Sequence, residues 1–314
     1  MPDDDLKKKL KEVEQINVDE NIDITTFIQS LGNTGFNAKR LAVACEIYKE
    51  MIKNKDCVKF FGLAGAIVPA GMQKVIHDFI EEGFIDILVT TGASLTHDIA
   101  ETLGFHHLQG EVNSKNGSDS ELHDQALNRI YDVYLPNKVY EGIEDFVSQL
   151  NIPDNTMSVS SFLKYLGDNL PPDNNSILKI CAEKKVPIFC PAFTDSGLAL
   201  QLGFHHQNLN LNHFKDMLTM VNLAWDAKDA GVCIVGGGVP KNFILQSLQF
   251  CPNSAQYAIQ ITMDRPEQGG LSGATLQEAI SWGKVNQNAK FSTIISDATI
   301  ALPLILWFLK KSSL

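Results

Sequence analysis

The chain has 314 residues, 44% of them hydrophobic and 20% charged, enough for one large or two small domains with a sizeable core. Its formal net charge is −11. So acidic a surface repels nucleic acid and anionic membranes and favours cationic partners, amines or basic protein segments among them.

Residues 1 to about 22 read as an arm, with "MPDDDLKKKLKEVEQ" charged, helix-prone and free of an apolar signal core. "FNAKRLAVACEIYKEMI" follows, with Leu41, Cys45, Tyr48 and Ile52 at helical spacing. Then the pattern changes. "CVKFFGLAGAIVPAGM" is a buried strand running into a small-residue turn, and "QKVIHDFIEEG" is a helix. "FIDILVTTGAS" repeats strand and turn, and "LTHDIAETLG" repeats the helix. The same beat returns in "VPIFCPAFTD", "GVCIVGGGVPKN", "QYAIQITMD" and "FSTIISDAT". Short apolar strands alternating with helices predict an α/β fold with a parallel sheet covered on both faces. Residues 110–130 and "LPPDNNS" (170–176) read as exposed loops. The apolar run "TIALPLILWFL" is too short to span a bilayer and contains a proline. No composition break marks a linker, so the expected organisation is an N-terminal extension (1–34) and one domain (35–314). The six cysteines form no CxxC pair and sit mostly in apolar runs, as buried thiols of a reducing, cytoplasmic compartment do.

In open α/β sheets ligands sit at the carboxyl ends of the strands. Here those ends are "GLAGAIVPAG", "TTGAS", "PAFTDSG", "VGGGVPKN" and "SDAT". Small residues there let backbone N–H groups approach a pyrophosphate at a helix N-terminus. No end is a strict GxGxxG, so each alone is a weak signal, and five together favour a dinucleotide. Asp195 and Asp297 suit ribose hydroxyls, or serve as helix N-caps. "LGFHH" occurs twice, with His106 and His107, then His205 and His206. If both pairs lie in strands, each offers one ligand to a site, and no metal is expected. His97 and Asp98 follow "TTGASLT", as cleft residues or as helix-start polarity.

Lys284 follows Trp282 and Gly283 and stands six residues after Glu278. An aromatic wall desolvates an ammonium, and a lysine so placed can form an imine with a carbonyl or oxidised amine. Gly283 allows close approach or a left-handed turn. Glu278 lies one turn before Trp282 and can pair with an amine.

"SGATLQEAISWGK", "FCPAFTDSGL", "VGGGVPKNF", "LVTTGA" and "SDATIALPL" together resemble the deoxyhypusine synthase family, from about Gly35 to the C-terminus. The SWGK segment is the most specific. The resemblance implies a doubly wound, mostly parallel Rossmann-like sheet and a homotetramer with active sites at dimer interfaces. It implies NAD as cofactor, taking a hydride from spermidine, and a 4-aminobutyl group carried by a lysine to translation initiation factor 5A. On it, Lys284 matches the imine-forming lysine. Gly65, Ala66, Ile67, Val68, Pro69, Thr90, Thr91, Gly92, Asp195, Gly237, Thr262, Asp297 and Ala298 fall on its NAD-contacting segments. Glu278 and Trp282 fall on its polyamine pocket. The pattern departs where eukaryotic enzymes place acids near the polyamine: His97, Leu200 and Leu271 stand there, and Asn242 replaces a histidine. It is closer to archaeal or bacterial members. Agmatine or putrescine as donor, putrescine as acceptor to give homospermidine, and a catalytically silent NAD-binding relative are the alternative readings.

Overall fold

Strands β1 (Cys57–Leu63), β2 (Ile87–Thr90), β7 (Ile188–Phe189), β9 (Asp229–Val235), β10 (Ala255–Thr262) and β11 (Val285–Ile295) carry the apolar runs read from the sequence. The computed structural model describes residues 10–110, 118–173 and 175–312. These six strands pair in parallel in the order β7–β2–β1–β9–β10–β11. Counted along the chain, that is the doubly wound order 3-2-1-4-5-6.

Two-faced burial explains why the strands read as continuous apolar runs. Phe61, Leu63, Leu88, Cys233, Val235, Ile259, Ile261 and Ile294 face one core. Helices α2 (Phe36–Lys53), α3 (Gln73–Glu81), α4 (Gly92–Thr102) and α13 (Ala298–Lys311) bury their apolar sides in it. Phe60, Ile87, Val89, Phe189, Val232, Ile234 and Ala258 face the other core. There α10 (His213–Asp226), α11 (Gly238–Gln249) and α12 (Leu276–Ser281) cover them. Each strand residue therefore alternates between the two cores, as period 2 requires.

Two stretches differ from the sequence reading. Residues 10–22 form no helix, and 1–9 lie outside the described residues. The arm has no apolar stripe to bury, and Leu10 and Val13 are exposed. Helix α1 (Ile24–Leu31) forms instead, capped by Asp23, whose Oδ1 accepts the N–H of Thr25 at 2.9 Å, and it inserts Ile28 into the core. Of the expected loop over 110–130, residues 111–117 lie outside the described residues, and the rest carries regular structure. Helix α5 (Asp119–Asp124) is held by a Ser118–Glu121 capping box. Strands β3 (Leu108–Gln109), β4 (Leu127–Ile130) and β5 (Val133–Pro136) make an antiparallel sheet ordered β3–β5–β4. Between that sheet and β7, α6 (Lys138–Ser148), β6 (Thr156–Ser158), α7 (Val159–Asn169) and α8 (Ile177–Lys184) follow in the chain. Helix α9 (Gly197–His205) and strand β8 (Asn210–Asn212) come after β7, and β8 pairs with β6 in parallel. Among the described residues, no helix is long and apolar enough to cross a membrane.

Five of the six cysteines are buried. Burial pushes the Cys57 and Cys190 thiols up to about 12, and Cys45, Cys181 and Cys233 are also driven up by burial. A thiol whose folded pKa is raised contributes stability that is complete below its unfolded pKa, 9.0, and is lost as pH rises toward the folded value. Lys241 works in the opposite sense, since burial lowers its ammonium to about 8, but one lysine does not offset five thiols. The chain is expected to lose stability steadily above about pH 9. Urea midpoints measured from pH 7 to 10.5 check this, and a midpoint that stays level would contradict it.

Candidate active site

Chain order reverses between β1 and β9, so a crevice opens beyond their carboxyl ends. A cavity of about 470 Å³ fills it, lined by Gly65, Ala66, Thr90, Thr91, Gly92, His97 and Asp195 among others. A second cavity of about 630 Å³ shares the Ala66 wall and adds Ile67, Pro69 and Asp297. The first residues of two helices form the rim, Gly92 of α4 and Gly238 of α11. The α4 N-terminus can turn backbone N–H groups toward a ligand in the crevice, whereas at α11 the Gly238 N–H is already donated to Ser272 Oγ at 3.0 Å. Ile130, from the stretch read as an exposed loop, lines both cavities.

Of the other residues on the segments that the resemblance assigns to NAD, only Asp297 lines either cavity. Gly237 precedes α11, and the Ser272 backbone comes so close that a Cβ on Gly237 would stand 2.3 Å from Ser272 Cα. Thr262 ends β10, where its Oγ accepts the Asp264 N–H at 3.1 Å. Val68 is buried in the core. Asp297 does both things the sequence allows: it caps α13 through the Thr299 N–H at 2.8 Å and borders the second cavity. Ala298 is the first residue of α13.

Neighbours on α4, His97 and Asp98 point to different tasks. Asp98 is fully buried and accepts from Gln73 Nε2 (2.7 Å), Ile177 N (2.8 Å), Leu178 N (2.9 Å) and Ser176 Oγ (3.2 Å). One carboxylate thereby ties α4 to α3 and caps α8. Burial pushes its carboxyl up, and those hydrogen bonds offset only part of the rise. His97 lines the crevice, and its Nδ1 lies 2.9 Å from His107 Nε2.

The paired histidines are not in strands, so the alternate-face expectation fails. Gly104 turns the chain at the end of α4, and both His106 and His107 reach back to the Glu101 carboxylate. His205 and His206 end α9, bonded to Glu144 and to the Val147 carbonyl. Among the described residues one trio of metal-ligand type meets, His77, Asp78 and Glu81. Its Asp78 is already paired with Lys74 at 2.6 Å and Lys310 at 2.9 Å.

Lys284 sits where α12 gives way to β11. The Lys284 N–H reaches Ala279 O and the Gly283 N–H reaches Ile280 O, both at 3.0 Å, and Gly283 has φ 68°. This is the left-handed helix ending that glycine favours. A Cβ on Gly283 would meet nothing within 4 Å, so the turn and not close approach explains the glycine. The Lys284 ammonium lies 5.1 Å from the Trp282 ring centroid, a cation–π arrangement. Trp282 is 56% exposed, so the described residues do not enclose this lysine in an apolar pocket. Register puts Lys284 beside Ala255, at the starting edge of β10 and β11, whereas the crevice lies at the finishing edge of the sheet. Asn242 lies on the other side of α11, in an apolar cavity with Phe243 and Phe250.

Sequence reasoning passed over Lys241. It is 1% exposed, and its Nζ donates to Gln260 Oε1, Leu271 O and Ala274 O. These bonds fasten the loop that leads into α12. Glu278 and Lys284 act on it electrostatically, the first supporting its charge and the second opposing it.

The sheet order and the crevice at its reversal point place this chain among the doubly wound α/β proteins with a strand-end ligand site. The family model described as deoxyhypusine synthase matches residues 26–308. A Methanosarcina acetivorans protein named "Probable deoxyhypusine synthase 1" is 46% identical over 289 residues, 91% of this chain and 90% of that one. An Archaeoglobus fulgidus protein of the same name is 41% identical over 293 residues, 93% and 95% of the two chains. A solved Entamoeba histolytica structure, a candidate deoxyhypusine synthase, has a TM-score of 0.61 at 16% identity and covers 94% of this chain and 95% of its own. That last likeness shows the fold alone. The chain belongs to the deoxyhypusine synthase family.

Asp98→Ala would leave the Ile177 and Leu178 N–H groups and the Gln73 amide without their acceptor inside the core. A loss of about 3 kcal/mol is expected, with Asp98→Asn losing less. Urea unfolding measures both, and a loss below about 1 kcal/mol for the alanine variant would show that the clamp is dispensable.

Proposed function

We propose that this protein is an NAD-dependent aminobutyltransferase, moving the 4-aminobutyl group of spermidine to one lysine of translation initiation factor 5A. The observation that carries the reading is a dinucleotide-type crevice combined, in a chain of this family, with a lysine whose ammonium lies over Trp282.

The crevice fits NAD. Gly92 brings the N-terminus of α4 to its rim, where the phosphates of the cofactor would be held, and the small residues Gly65, Ala66 and Gly238 leave room for them. Asp195 offers a carboxylate to ribose hydroxyls. NAD supplies hydride acceptance when bound, and the chain supplies the rest. Glu278 and Trp282 hold the amine, by charge and by ring face. Lys284 attacks the oxidised carbon, the 1,3-diaminopropane part leaves, and the aminobutyl group stays on the lysine as an imine. Transfer to the acceptor lysine and reduction of that imine complete the cycle.

The distance along the sheet from crevice to lysine supports a composite site in a homo-oligomer, a tetramer by the resemblance. In it, Lys284 of one copy serves the crevice of another. The acidic surface suits both a polyamine and a basic protein segment.

Lys284→Arg keeps the charge and cannot form the imine. It is expected to reduce transfer by at least about 100-fold while NAD affinity stays within about twofold. Incubation with NAD, labelled spermidine and recombinant factor 5A, followed by mass analysis, reads the product. Label on the protein supports the proposal, and label on a free diamine favours the homospermidine reading. Borohydride should trap one peptide containing Lys284 in the parent chain and none in the variant. Transfer by the variant at the parent rate would sink the assignment.

A further inference from the structure

On helix α4, His97 and Glu101 stand one turn apart, and the turn at Gly104 brings the His107 ring between them. His107 Nδ1 lies 2.5 Å from Glu101 Oε1, and its Nε2 lies 2.9 Å from His97 Nδ1. The His107 side chain is 5% exposed. Glu101 also accepts the His107 N–H at 2.9 Å, and its second oxygen meets His106 Nδ1 at 2.8 Å. His97 is the one member of the chain that borders the crevice between β1 and β9.

The protons follow from the acceptors. Burial alone would raise the Glu101 carboxyl, and the hydrogen bonds from His107 and His106 overcome this and hold it at about 2. Ionised, it only accepts, so His107 Nδ1 must donate to it. A neutral His107 then has a bare Nε2, and His97 Nδ1 donates there. His97 Nε2 is left as a lone pair on the crevice side. Burial lowers His97 to about 4, so its ring rests neutral before substrate enters. Around the trio, Asp195 shares the crevice with His97, Asp132 borders the cavity that His107 faces, and the Asp98 carboxylate is engaged with α8.

We propose that Glu101, His107 and His97 form a proton relay that opens into the crevice at His97 Nε2 and accepts the proton of the substrate amine. The proposal rests on the amine-oxidation reading above. A protonated secondary amine cannot release hydride, because its nitrogen lone pair is occupied. Its N–H proton passes to His97 Nε2. The freed lone pair forms the C=N bond as the electron pair of the adjacent C–H bond leaves as hydride to the oxidised nicotinamide. The products are a protonated imine, the reduced nicotinamide and one added proton on the relay, so charge and atoms balance. His97 Nδ1–H then moves to His107 Nε2, and the positive charge rests on His107 against Glu101, one ring away from the crevice. A wall that removes a proton without becoming cationic itself suits a site shared by an ammonium substrate and a cationic nicotinamide ring.

Imidazole 15N NMR of the full-length protein, without cofactor, tests the wiring. His97 is expected to show the neutral, Nδ1-protonated form throughout the range around about pH 6.5 where free imidazole titrates. His107→Gln and Glu101→Gln should each shift His97 toward the other tautomer. Single-turnover reduction of NAD by spermidine tests the chemistry. Both variants should slow it by about 100-fold and leave NAD affinity within about twofold. Urea midpoints confirm that at least one variant is folded. A His97 resonance that titrates like free imidazole, or a tautomer unmoved by both variants, overturns the relay. So does a shifted tautomer with the reduction rate unchanged. If the parent chain with spermidine yields no reduced NAD, the functional reading falls first and takes the relay with it.

Discussion

A single buried carboxylate sets the geometry of the crevice. Asp98 has no counter-ion among its hydrogen-bond partners and is held by two backbone N–H groups, an amide and a hydroxyl from α3 and α8. A charge in that environment tolerates little displacement, because each lost donor exposes it to an apolar core. Helix α4 is therefore fixed in rotation as well as in position. The residue before Asp98, His97, must then face the crevice, and Glu101 must face the turn at Gly104. The wall residues Thr91 and Gly92 start the same helix, so the small-residue end and the histidine end of the crevice share one anchor.

A second buried charge organises the other flank. Lys241 is surrounded by an amide oxygen and two carbonyls, all of them neutral. It holds the segment after β10 down onto α11, where Ser272 packs on Gly237. Helix α12, with Glu278 and then Trp282 at its end, starts from that fastened segment and delivers Lys284 to the position just before β11. Thus each flank of the sheet uses one buried ion for placement, and leaves the exposed charges to meet ligands.

The parallel sheet was legible because strands buried on two faces cannot hide their composition: "GVCIVGG" and "QYAIQIT" have no other stable use. The crevice was legible for a related reason, since small residues collect where backbone must approach a ligand. What escaped was set by contacts distant in sequence. Lys241 reads as an ordinary surface lysine, and only Gln260, Leu271 and Ala274 show otherwise. The histidine pairs suggest strands, yet Gly104 reverses the chain and sends both His106 and His107 to one carboxylate. Ile130 belongs to a polar stretch whose sequence gives no sign that it folds back onto the crevice. The Trp282 wall proved half open, because nothing among the described residues covers it.

The composite site proposed above, in which crevice and lysine lie at opposite edges of the sheet, would have a genetic consequence. A lysine that serves a neighbour's crevice makes the pair of chains, and not the chain, the unit on which selection acts. Two defective alleles, one lacking the lysine and the other an intact crevice, would then rebuild some working sites when expressed together. A mixed assembly places some sound lysines against sound crevices. Damage at one edge of the sheet would be masked by a partner damaged at the other, while two lesions at the same edge would not.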